Sequence, residues 1–184
     1  MELNQIIGQI ATVSITATIT LLSVHLTNKH NLAKTHLELS LNNKYVNNIN
    51  KRDKIEELYL LFDKWYKFIT IELFNWSQVM NGMLTLGQKN ELLLNDPKAN
   101  ELDFPRIEML LNVYLTDLVP EFEKLRLKLS STNNYWIKFR NEYQKGNKDG
   151  SKYINEFLSS MVIFDNSCTT FKNLIVKNIR EYII

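Results

Sequence analysis

The chain has 184 residues and a formal net charge of +2, a length for one domain, or one domain with an anchor, and no global electrostatic case for nucleic acid. Five Gly and three Pro are too few breakers for a β-rich, turn-dense fold and point to long helices. The single cysteine, Cys168, excludes an intramolecular disulfide and fits a reducing compartment.

The first element runs from Gln5 to Thr27, inside a stretch from Leu3 to Asn28 that holds no Asp, Glu, Lys or Arg. Gln5, Gln9, Thr12, Thr16, Thr20, Ser23 and Thr27 step by three or four residues and so share one helix face, beside an apolar stripe of Ile6, Ile10, Val13, Ala17, Leu21 and Val24. A bilayer core takes about 20 mostly apolar residues, and Thr or Ser hydroxyls are tolerated there because they bond back to the preceding turn. Residues 1–28 therefore read as a transmembrane helix. Its downstream flank carries Lys29, Lys34, Lys44, Lys51, Arg52 and Lys54, which predicts a single pass through the cell inner membrane with the rest of the chain in the cytoplasm. A cleaved signal peptide fits poorly, since no basic region precedes the apolar run. In the alternative, a cytoplasmic one, the polar row faces water and the apolar side packs into a soluble bundle.

Residues 29–50 form a polar juxtamembrane helix that frays near Asn47 to Asn50. Its His30 and His36, with His25 before it, are spaced by five and six residues, which does not match a helical pair of metal ligands. Residues 51–184 read as a helical bundle. Ile55, Leu58, Phe62, Trp65, Ile69, Leu73, Trp76, Met80 and Met83 make the core seam of a helix over 52–93, weakened by Gly82 and Gly87. Asp103 and Pro105 cap and open the next helix, 105–145, with Ile107, Leu111, Tyr114, Leu118, Phe122, Leu125, Leu129, Trp136, Phe139 and Tyr143 on its seam. Pro120 predicts a kink without a break, and Ser130 to Asn134 a second weak point. A last helix, 151–183, carries Ile154, Phe157, Met161, Phe164, Cys168, Phe171, Ile175, Ile179 and Tyr182, with Ser151 as its cap. The expected fold is all-α, a long antiparallel up-and-down bundle of three to four helices with the first helix transmembrane.

Chemistry is sparse. Gly82, Gly87, Gln88 and Lys89 imitate a phosphate loop, but Gln88 separates the glycine from the lysine and no strand precedes it. No Glu-x-x-His pair exists for a di-iron site, and no histidine lies after residue 36 to serve Cys168 as a base. Asp63, Glu72, Asp117, Glu121 and Asp165 read as flank residues that are solvated or hydrogen-bonded, Cys168 as a packing residue, and Trp65, Trp76 and Trp136 as core. No cofactor, metal or small-molecule substrate is implied, and the chain reads as non-enzymatic.

One charge pattern carries more. If the 105–145 helix returns toward the membrane, Lys138, Arg140, Lys145 and Lys148 join Lys51, Arg52 and Lys54 at the proximal end of the bundle, a lipid-facing basic surface suited to an anionic leaflet.

The run from Lys51 to Leu61, Lys-Arg-Asp-Lys-Ile-Glu-Glu-Leu-Tyr-Leu-Leu, resembles a type of small, largely uncharacterised bacterial protein. Those proteins have an N-terminal transmembrane helix, a basic polar helix and a cytosolic helical bundle, and some belong to phage-defence or toxin-like gene sets. The resemblance implies a single-pass anchor and supplies no catalytic residue. The expected function is thus a non-enzymatic, membrane-anchored interaction or effector protein that self-associates through the Gln5 to Thr27 row. Its partners would be membrane lipid and either further copies or another protein. The alternative is a soluble four-helix adaptor.

Overall fold

The computed structural model describes residues 2–95 and 102–182, with side chains described from residue 20 onward. The described residues form five α-helices and no strand: α1 (Glu2–Met80), α2 (Leu86–Leu94), α3 (Phe104–Tyr114), α4 (Val119–Gln144) and α5 (Ser151–Arg180). The chain divides into two compact units, Met1–Asn48 and Ile49–Ile184, and α1 contributes to both. No fraying occurs at Asn47 to Asn50, where α1 is continuous.

The second unit is an up-and-down bundle of four arms. Its first arm, the 49–80 part of α1, buries Ile55, Leu58, Phe62, Trp65, Leu73, Trp76 and Met80 of the seam read from the sequence, leaves Ile69 partly buried, and adds Val79. It stops at Met80 and not near Leu94. Gly82 takes φ +70, the left-handed conformation that ends a helix, and the amides of Gly82 and Met83 turn back to the carbonyls of Val79 and Gln78. Met83 is consequently exposed.

The second arm consists of α2 and α3. Thr85 and Gln88 form a reciprocal capping box at the start of α2, and the Asp103 carboxylate accepts from the Arg106 amide at the start of α3, as expected. Leu115 to Leu118 break the predicted 105–145 helix with a 3-10 turn. Pro120 therefore sits in the first turn of a new helix, where its missing N–H costs nothing, so a true break replaces the expected kink. The expected weak point at Ser130 to Asn134 lies within continuous α4.

Phe122 and Trp136 of α4 meet Phe62 and Trp76 of α1 in the same chain order, so these arms run parallel. Phe171 and Tyr153 of α5 meet Phe122 and Phe139 of α4 in the opposite order. At the start of α5, Gly150 is buried where a Cβ would lie 2.4 Å from the Met80 carbonyl oxygen, so only glycine lets the two helix ends touch. The Asp149 carboxylate accepts from the Ser151 amide and hydroxyl, so Asp149 takes the capping role expected of Ser151.

Gly150→Ala is expected to lower bundle stability by about 2–3 kcal/mol, since it forces one backbone off another. Urea unfolding checks this; a midpoint equal to that of wild type would contradict the close approach.

Candidate interaction surface

In the first unit the helix has no Pro and no Gly beyond Gly8. Local contacts support it: Lys34 pairs with Glu38 one turn on at 3.9 Å, and the Ser40 hydroxyl donates to the Leu37 carbonyl. Every residue from Thr20 to Asn47 is exposed. That includes ten large apolar or aromatic side chains, Leu21, Leu22, Val24, Leu26, Leu32, Leu37, Leu39, Leu41, Tyr45 and Val46, at 45% to 71% exposure. Helices draw most of their stability from packing an apolar face, so this surface is built to be covered.

Of the predicted polar row, Thr20, Ser23 and Thr27 are exposed, while the side chains of Gln5, Gln9, Thr12 and Thr16 lie outside the described residues. Among the described residues no helix is long and apolar enough to cross a membrane. The predicted transmembrane segment falls largely on residues 2–19, whose side chains lie outside that description. His25, His30 and His36 are exposed, and among the described residues no group of three or more His, Cys, Asp or Glu is placed to hold a metal.

The predicted basic surface is not assembled. Lys51 lies over the Tyr182 ring at 4.7 Å, beyond the end of α5, whereas Lys145 and Lys148 lie at the other end of the bundle, where Gly150 touches Met80. Residues 51 and 80 of one helix are separated by about 44 Å of helical rise. The two clusters are therefore at opposite ends, because the turn after Met80 takes the place of the one expected at 95–104 and a further turn at Leu115 to Leu118 reverses the expected course of 119–144. Carboxylates also occupy the proximal cations: Arg52 faces Asp53 and Glu56, and Lys54 bonds Glu57 at 2.9 Å.

The candidate chemical groups of the bundle are similarly engaged. Asp63 accepts from Lys172 and, at 2.7 Å, from Lys67; burial opposes its ionisation, but these two cations outweigh that and hold its pKa below the ordinary value. Tyr66 donates to Asp165, and burial together with that carboxylate pushes the phenol up to about 12. Lys89, the lysine of the apparent phosphate loop, is 4% exposed, bonds Glu72 at 2.5 Å and lies over the Trp76 ring. Cys168 is fully buried, which pushes its thiol up to about 12 and leaves it protonated at neutral pH, a packing residue as expected. A groove of about 410 Å³ beside Trp65 and Phe104 has its one cation, Arg126, held by Glu108 and Glu123 at 3.0 Å each.

Comparison with protein-family models, curated proteins and solved structures finds no match. The exposed apolar helix of residues 20–47 thus stands as the candidate site on its own geometry. Periodicity marks Leu21, Leu22, Val24 and Leu26 as apolar from the sequence, and their exposure is what the structure adds.

Glu57 joins α1 to α3 by accepting from Arg106 at 2.7 Å and from Lys54, which lower its pKa from an ordinary 4.5 to about 2. The unfolded chain binds this proton more readily, so the contribution is complete above about pH 4.5 and is lost as pH falls toward 2. Glu57→Gln should flatten that part of the acid profile and weaken the bundle at neutral pH. An unchanged profile in acid-series denaturation would contradict the assignment.

Proposed function

We propose that the chain is a membrane-anchored helical interaction protein that associates with further copies of itself, with residues 3–28 in the bilayer and the bundle on the cytoplasmic side. The observation that carries this reading is the exposure of Leu21, Leu22, Val24 and Leu26 within a stretch free of formal charge. Lipid covers such a surface at no cost in desolvated charge. The row Gln5, Gln9, Thr12, Thr16, Thr20, Ser23 and Thr27 supplies hydroxyl and amide groups that bond within the helix or across to a neighbouring copy. Lys29, Lys34 and Lys44 follow directly, which supports a cytoplasmic flank. The resemblance at Lys51 to Leu61 supports the same architecture, with an effector role of the phage-defence or toxin-like kind.

The bundle serves as the presenting domain in this reading. Its core is filled by its own residues, and Asp63, Glu72 and Asp165 are engaged by Lys172, Lys89 and Tyr66.

Fractionation tests the anchor. The full chain is expected in the membrane pellet, resistant to high salt and released by detergent, while a variant lacking residues 1–28 is expected in the supernatant. Full-length protein in the supernatant without detergent would replace the anchor with the soluble adaptor reading, in which a partner protein covers the same helix.

A further inference from the structure

We infer that residues 21–46 of α1 pair with a second copy of this chain, in parallel and in register, along a seam formed by Leu21, His25, Asn28, Leu32, Thr35, Leu39, Asn42 and Val46. This rests on the self-association part of the reading above and not on the anchor.

A helix can present its residues to a like helix in seven heptad phases, and the charges of this segment discriminate among them. Lys29 enters the seam in two phases, and Lys34, Glu38 or Lys44 enters it in four more. A single phase keeps all four charged residues off both seam positions. It places His25, Leu32, Leu39 and Val46 at successive a positions, spaced by seven residues, and Leu21, Asn28, Thr35 and Asn42 at the d positions. Leu21, Leu32, Leu39 and Val46 are all exposed, so the seam is open along its length.

The alternation of layers then sets the direction. In a parallel, in-register pair each residue meets its own copy, so Leu32, Leu39 and Val46 form apolar layers while Asn28, Thr35 and Asn42 hydrogen-bond to their equivalents. An antiparallel pair sets a against d, which buries each leucine against an amide or hydroxyl and leaves those polar groups without partners. The flanks agree with the parallel arrangement. Glu38 comes beside Asn43 of the second copy and Lys29 beside its Val24, so no like charges oppose one another. Polar layers within an apolar seam also fix register, since a slip of one heptad would set Asn42 against Thr35. The seam lies on a different helix face from the Gln5 to Thr27 row, so the two contacts can be read separately.

Variants of the full chain that each add one cysteine, N28C, N42C and K44C, oxidised under mild conditions, test the pairing. Wild type is the control for Cys168, whose burial keeps it out of the reaction. Disulfide-linked dimers are expected at both Asn28 and Asn42 and not at Lys44 on the outer face. Dimers at both levels require a parallel pair, because antiparallel helices bring like residues together at one level alone. Dimers at only one of the two levels, equal linking at Lys44, or no dimer at either would overturn the proposal. A second measurement, the hydrodynamic size of L39D, should show loss of the dimer with unchanged bundle unfolding; a retained dimer would also overturn it. These outcomes are independent of fractionation, so a protein in the pellet without cross-links leaves the anchor standing and removes the seam.

Discussion

Six aromatic rings form one cluster in which Phe62 lies 4.9 Å from Phe171, 5.5 Å from Trp65 and 6.4 Å from Phe122, while Phe104 and Phe164 pack on Trp65. These rings come from α1, α3, α4 and α5, so one packing site fixes the level at which all four helices cross. Aromatic pairs combine large apolar area with preferred edge-on geometry, which favours one arrangement of the arms over sliding alternatives. The stacked Trp76 and Trp136, at 4.6 Å, repeat the device nearer the Met80 end. The core of residues 49–184 is closed in this way by its own rings, while the described side chains of residues 20–47 are exposed.

The polar groups follow from that packing. Lys89 is buried because α2 has to lie across Trp76, and Glu72 supplies the charge that makes its burial tolerable. Lys172 is drawn between Tyr59 and Tyr66 toward Asp63 where α5 crosses α1. Such pairs orient the helices and hold their charges in place.

Much of the core was legible because burial follows a three-four period: Phe157, Phe164, Cys168, Phe171 and Ile175 could be named before any coordinates. The helix ends were less so. Pro120, like Pro105, lies in a first helical turn and so marks a start where the run of apolar residues suggests a kink, and Thr85 with Gln88 carries the capping-box pattern of another start. The one reversal that the sequence reading lacks, at Leu115 to Leu118, puts Lys145 and Lys148 at the other end of the bundle, since it turns every later arm around. The pairing of Lys89 with Glu72, 17 residues away on another helix, depends on a tertiary crossing that periodicity does not encode. The exposed helix was half legible. Leu21 and Val24 stand out as an apolar stripe, but the Leu32, Leu39 and Val46 row matters only once α1 is known to continue unbroken through Asn50.

The claim on which the rest depends is that residues 49–184 fold without the first unit. Comparing urea unfolding of that segment with that of the full chain tests it most directly. A single cooperative transition of the segment at the full-chain midpoint is predicted; a lost or strongly lowered transition would mean that the first 48 residues belong to the core and are not free to meet a membrane or a second copy.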